Sequence, residues 1–102
     1  MRIIKPTRLR EYWTRHPQAK PSLEQWLMRT RAAHWASLTD LRQTFPSADP
    51  VRVASGRTVV VFNIAGNRYR LMTAIHYNMR KVFVLRFLTH AEYDKDTWKD
   101  EL

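Results

Sequence analysis

Two adjoining runs decide the fold: Arg68-Tyr69-Arg70-Leu71-Met72-Thr73-Ala74-Ile75-His76-Tyr77 and, after Asn78-Met79-Arg80, Lys81-Val82-Phe83-Val84-Leu85-Arg86-Phe87-Leu88. Both are rich in β-branched and aromatic residues and alternate with a period of two, as strands with one buried face do. In the first run Tyr69, Leu71, Thr73, Ile75 and Tyr77 form the row expected to face a layer of helices. Arg68, Arg70 and His76 fall on the opposite side. In the second run Phe83, Leu85 and Phe87 form one apolar row, leaving Val82, Val84, Arg86 and Leu88 on the other. A three-residue connection, Asn78 to Arg80, pairs the two apolar rows and places Arg68, Arg70, Arg86 and His76 on one open face. A slip of one residue exchanges the faces of one strand relative to the other, so that placement depends on the turn.

Working upstream, Thr58 to Asn63 and Val51-Arg52-Val53 read as two more strands. Ala65-Gly66-Asn67 is expected to close a hairpin, because Gly and Asn tolerate positive φ. Four successive strands predict an antiparallel meander. Nearer the N-terminus the period becomes helical: Leu9, Tyr12, Trp13 and His16 share a face that Pro17 ends. Ser22-Leu23-Glu24-Gln25 has a capping-box pattern that predicts a second helix, with Leu23, Trp26, Leu27 and Thr30 on its inner face. Leu38, Leu41 and Phe45 predict a short third helix from Ser37, Ile3-Ile4 a short strand before Pro6, and Ala91 to Lys99 a last helix. The expected architecture is one α+β domain over residues 1–102, with the N-terminal strand and helices on one face of a four-stranded meander.

Composition narrows the function. The 102 residues suffice for one domain, and 44% hydrophobic content with four Trp can build a core. A mean hydropathy of −0.53 and no apolar run near the roughly 18 residues of a bilayer span argue against a membrane protein. Arg2 and Lys5 interrupt the first apolar residues, so no signal peptide is expected there. The absence of cysteine excludes disulfides, Cys-ligated zinc, iron–sulfur clusters and thiol nucleophiles, and suits a cytoplasmic location. No H-E-x-x-H, P-loop, dinucleotide fingerprint or G-x-S-x-G occurs, and the four His are dispersed, so no metal or cofactor is expected.

The charge is the strongest compositional signal. Eighteen Lys and Arg against nine Asp and Glu give +9, with a pI near 10.7. Residues 1–90 hold 16 basic and 4 acidic side chains, and the last twelve reverse the sign with 2 and 5. A basic body of this size invites a polyanion, and nucleic acid releases counterions on binding. The acidic end can fold back on the body or repel nucleic acid locally. Taken singly, each strand arginine is an ordinary solvated residue. Clustered, guanidinium groups bind phosphate bidentately at any working pH. His16, at a helix end, reads as a cap, and His34 as a partly buried helix residue. Trp13, Trp26 and Trp35 read as core anchors or partner contacts. Arg8, Arg10, Arg15, Arg29 and Arg31 read as a solvated face that could meet ribosomal RNA.

Two segments carry a resemblance. Val61-Phe62-Asn63-Ile64-Ala65-Gly66-Asn67-Arg68-Tyr69-Arg70-Leu71, followed by Phe87-Leu88-Thr89-His90-Ala91-Glu92-Tyr93-Asp94, resembles HigB toxins of bacterial toxin–antitoxin modules, within the RelE-like superfamily. Phe45-Pro46-Ser47 is similar to the family's pattern as well. The resemblance covers most of residues 37–95. It implies a RelE-like fold and a toxin that cleaves mRNA at the ribosomal decoding site, close to 16S rRNA. A HigA-like antitoxin, expected to be of helix-turn-helix type, would neutralise it. It also implies metal-independent chemistry, in which the ribose 2′-OH attacks the adjacent phosphate and a 5′-OH is released. Arg70 then matches the arginine set against the scissile phosphate, and His90 a general acid or base. Tyr93 is placed for base stacking or proton transfer. Arg68, Arg86, Lys95 and His76 are expected to contact RNA or its phosphates, although His76 reads equally well as structural. The C-terminal string of basic residues that many superfamily members use is absent.

Three functions follow as expectations: a ribosome-dependent mRNA endonuclease toxin, a non-catalytic RNA- or ribosome-binding module of the same fold, or mainly one half of a complex with an antitoxin. Cleaved RNA ends separate the first from the other two.

Overall fold

The computed structural model describes residues 1–102. The elements run β1 (Arg2–Ile4), α1 (Thr7–Arg15), α2 (Lys20–Ala32), α3 (Leu38–Thr44), β2 (Asp49–Arg52), β3 (Thr58–Ile64), β4 (Tyr69–His76), β5 (Lys81–Thr89), α4 (His90–Asp94) and α5 (Trp98–Glu101). The fold is α+β, as expected, and β2 to β5 form the antiparallel meander. The N-terminal strand, however, does not lie on the sheet. It extends it: β1 runs parallel to β5, with Ile3 opposite Val82, giving one five-stranded mixed sheet in the order β1-β5-β4-β3-β2. Burial explains the difference, since Ile3 and Val82 enter the same core only if β1 takes the free edge of β5.

Helices α1, α2 and α3 cover one face through a core that includes Leu9, Leu23, Trp26, Leu41, Phe62 and Leu71. Phe45 sits among Trp26, Trp35 and Phe62, with ring centroids 6.5, 5.9 and 5.2 Å away. His16 caps the end of α1, its backbone N–H donating to the Tyr12 carbonyl. His34 lies beyond α2 and is exposed rather than partly buried in a helix. The Ser22 capping box does not form. A 3-10 turn over Pro17–Ala19 leads directly into α2, Pro21 occupies its first turn, and Ser22 is already inside the helix. Proline is tolerated there because first-turn N–H groups lack helical partners anyway. Ser37 does cap α3, its hydroxyl accepting from the Asp40 N–H at 3.4 Å.

The β4–β5 hairpin departs from expectation near its turn and agrees with it further away. The connection is Tyr77 to Arg80, with Arg80 left-handed at φ 55°, and His76 pairs with Lys81. Ile75 therefore faces Val82 across the strands, so Val82 and Val84, not Phe83 and Leu85, join the helix-side core. Phe83 instead packs against His76, with ring centroids 5.1 Å apart. A bulge at Leu85 then inserts one residue, since Thr73 pairs with Val84 while Met72 pairs with Arg86. Beyond it, Leu71 faces Phe87 and Arg70 faces Leu88, the register that pairs Leu71 and Phe87 as expected. One extra residue reverses strand parity and bends the strand.

The second face of the sheet is not open. The chain after β5 folds back over it, and Trp98 is buried with Val53, Val59, Val61 and Met72. The expected single last helix is two, α4 and α5, because Asp96 at φ 61° breaks it. Thr89 opens α4 with a capping box: its Oγ1 accepts from the Glu92 N–H at 3.2 Å, and Glu92 Oε1 accepts from the Thr89 N–H at 3.0 Å. The acidic end thus meets the basic body, with Glu101 3.9 Å from Arg86 Nε.

Candidate functional site

Five elements converge where β3 outruns β2. Strand β2 pairs only with Thr58 to Val61, so Asn63 has no neighbour on that side. The space holds a cavity of about 370 Å³, lined chiefly by Arg42 of α3, Ser47, Asp49 of β2, Asn63 of β3, Arg70 of β4 and Tyr93 of α4. Arg70 and Asn63 are cross-strand partners, which puts both side chains on the same face.

Both guanidinium groups are anchored by one nitrogen and leave others free. Arg70 Nη1 donates to the carbonyls of Asn67 (2.9 Å) and Tyr69 (3.1 Å), and its Cζ lies 5.4 Å from the Tyr93 ring centroid. Arg42 Nε donates to the Ala48 carbonyl at 3.1 Å. Anchored cations of this kind can hold a phosphate without reorganising. Tyr93 is itself fixed: it stacks on Trp98 at 5.2 Å, and Trp98 Nε1 donates to its carbonyl at 3.0 Å. Burial first, and then the Asp49 carboxylate, push the Tyr93 phenol above its ordinary pKa, so at neutral pH it is a donor and not a base.

The other expected residues lie outside this cavity. His90 opens α4, exposed, with Nδ1 2.8 Å from Asp94 Oδ2, one helical turn before Tyr93. Its backbone N–H donates to the Arg68 carbonyl at 2.9 Å, which joins the two segments that carry the resemblance. Arg68 lies in the exposed turn before β4, and Lys95 is exposed just after α4. Arg86 is on the Arg70 face, opposite Met72, and pairs with Glu101. His76 is at the far end of β4, six residues and roughly 20 Å of strand from Arg70. Arg68, Arg70, Arg86 and His76 therefore do not form one open patch: α5 overlies the middle of that face, and His76 lies well beyond the cavity.

Arg42, Ser47, Asp49 and Asn63 were not singled out as site residues from sequence. The hairpin turn at Ala65–Asn67 was a sufficient signal for Asn63, because it sets the register opposite Arg70. Asp49 and Arg42 carry no such signal; they arrive by tertiary packing of α3 and β2. No group of three or more His, Asp or Glu side chains is placed to hold a metal ion.

The sheet, its covering helices and this cavity belong to a known class of protein. The profile of HigB_toxin, described as the RelE-like toxic component of a toxin–antitoxin system, matches residues 19–96, and the chain belongs to that family. The matched stretch contains every cavity residue and His90, and ends just before Trp98. Among characterised relatives is the mRNA interferase toxin HigB of Escherichia coli (strain K12), 26% identical over 94 residues, covering 92% of this chain and 88% of the relative. The mRNA interferases HigB of Escherichia coli O157:H7 and Shigella flexneri match with the same identity and coverage.

Proposed function

We propose that this protein is the toxin of a type II toxin–antitoxin module and acts as an mRNA interferase, cutting messenger RNA on the ribosome by attack of the RNA's own 2′-OH. The observation that carries the reading is the pairing of Arg70 and Tyr93 at 5.4 Å in one cavity with Arg42 and Asp49. The 2′-oxygen bonds to phosphorus and the P–O5′ bond breaks, leaving a cyclic phosphate and a 5′-OH. Arg70 and Arg42 stabilise the extra negative charge of the phosphorane. Tyr93, held protonated, donates toward the departing 5′-oxygen.

Asp49 and His90 are the two candidates to accept the 2′-OH proton. Asp49 lines the cavity. His90, outside the cavity, opens the helix that carries Tyr93, and with Nδ1 turned to Asp94 Oδ2 at 2.8 Å its Nε2 is the candidate atom. Arg68, Lys95 and Arg86 extend the positive surface along the RNA and the 16S rRNA near the decoding site. His76, remote from the cavity, is left as an outlying contact. With a net charge of +9 and so few reacting groups, the chain depends on the ribosome to present its substrate. The antitoxin, HigA-like, covers this surface between episodes of activity.

Pulsed expression followed by sequencing of RNA 5′ ends tests the reading. Arg70→Ala is expected to lower cleavage about 10²- to 10³-fold, the effect of removing one preorganised charge donor. His90→Ala and Asp49→Asn assign the base: the larger loss identifies it. Full toxicity of both Arg70→Ala and His90→Ala would overturn the site. Salt-dependent RNA binding with no cut ends, even on translating ribosomes, would make the chain a binding module instead.

A further inference from the structure

A second cleft, of about 240 Å³, lies beyond Asn63, which lines both cavities. Its walls are Ser22, Gln25, Trp26 and Arg29 of α2, with Phe45 and the corner from Asn63 to Gly66 opposite. Positions 22, 25 and 29 recur at helical spacing and so share a face of α2. The Arg29 guanidinium is held over the Phe45 ring, 6.0 Å from its centroid, and no carboxylate pairs with it. Trp26 is 2% exposed, and its Nε1–H is buried with no acceptor. A buried donor left unmet is costly, which makes this one unusual in a native core. Beyond Val61 the outer edge of β3 has no partner strand, and the two clefts meet at Asn63.

A chain whose phosphate is held by Arg70 and Arg42 can continue past Asn63 into this second cleft. The cleft's chemistry suits a base. Gln25 and Asn63 each offer an amide donor and acceptor, and Arg29 offers a flat cation. Single-stranded RNA is read in this way, with bases splayed out, hydrogen-bonded on their edges and stacked on planar groups. The volume falls below the roughly 300 Å³ at which pockets for larger ligands begin, and so suits a single base. We propose that the cleft is a nucleobase subsite: it receives the base of a nucleotide flanking the cut bond and sets the sequence preference at that position. This rests on the mRNA-cleavage reading above.

The test maps 5′ ends produced by the intact protein with translating ribosomes on an mRNA library randomised around the cut. Gln25→Ala and Arg29→Ala are compared with Arg31→Ala, which removes the same charge from the opposite side of α2, in the groove against α1. Base preference at one position, fixed in distance from the cut, is expected to fall at least about fivefold in Gln25→Ala and Arg29→Ala, the scale of one lost edge contact. Preferences elsewhere, and all of those of Arg31→Ala, are expected to persist. Circular dichroism melts of each variant separate this from misfolding. Cutting with unchanged preference overturns the subsite alone, and a wild-type chain that cuts nothing overturns both readings. Loss of antitoxin neutralisation with preference intact makes the cleft a protein-docking surface and also overturns the proposal.

Discussion

The two faces of the sheet are built to different depths. On the helix side, 17 buried residues form one cluster under three helices; on the other side five do, under two helices of five and four residues. The cavity with Arg70 opens on the thin side. Charge explains why: guanidinium groups cannot be sunk in an apolar core without partners, so they belong where cover is incomplete. The thick side holds β3 and β4 rigid, and the thin side spends that rigidity on holding Arg70, Asn63 and Tyr93 in place.

The comparison is broken most severely by cutting into the thick side. Leu71 is wholly buried there, beside Arg70 in sequence but facing the other way. Leu71→Ala is expected to cost about 2–5 kcal/mol in chemical denaturation. Any loss of toxicity should then follow the loss of folded protein. Trp98→Ala, on the thin side, is expected to cost less, about 1–3 kcal/mol, because the short C-terminal segment can move aside. It should nonetheless lower cleavage more than Leu71→Ala does per folded molecule, since Tyr93 loses the ring it stacks on. Equal specific activity in the two variants would mean the thin side is not positioning Tyr93.

The smallest effect sharpens the contrast within the thin side. Thr89→Ala removes the capping box of α4, at a cost of about 1 kcal/mol. Glu92 has a carboxyl pKa below its ordinary value, chiefly because it accepts the Thr89 backbone N–H. A carboxylate depressed by folding contributes stability above its unfolded pKa and loses it as the pH falls through the lower, folded value. Amide protection in α4, taken relative to the intrinsic exchange rate at each pH, should therefore fall on acidification below about pH 4 in the wild type. Glu92→Gln should be less protected already at neutral pH and show no such step. Exchange over β4 should not change with either.

Much of this was legible in the residues. Strands β3, β4 and β5, the hairpin at Gly66, the capped helix after Ser37 and the helix ending at Pro17 all follow from periodicity and turn chemistry. The Phe62-Asn63 and Thr89-His90 segments were enough to indicate the family. Arg70 and Tyr93 could be named because they sit in those segments. Three things could not be read. The bulge lies in Val84-Leu85-Arg86, where neither Gly nor Pro marks it. Asp96 breaks the last helix with a positive φ that Asp tolerates better than most residues but does not require. Arg42 and Asp49 reach the cavity only through the packing of distant elements. Alternation assigned His76 and Arg70 to one side correctly, but a face has no length scale, and along the strand the two are far apart.

The bulge at Leu85 acts as a change of phase in the chain. Before it, even-numbered residues of β5 point to the helices; after it, odd-numbered ones do. Deleting Leu85 would therefore cancel the phase change and leave a regular ladder, with Val84 and Phe87 still toward the helices and Arg86 still away from them. An extra residue between Arg86 and Phe87 would do the opposite, turning Phe87, stacked between Tyr12 and Tyr69 at 5.1 and 5.0 Å, away from the helices and putting Leu88 in its place. The regular part of β5 beyond the bulge thus has a parity to keep, whereas the exposed turn over Ser55 and Gly56 has none. In natural relatives, insertions should be tolerated at that turn and excluded just before Phe87, while a one-residue deletion at Leu85 should be accommodated as a strand without the bulge.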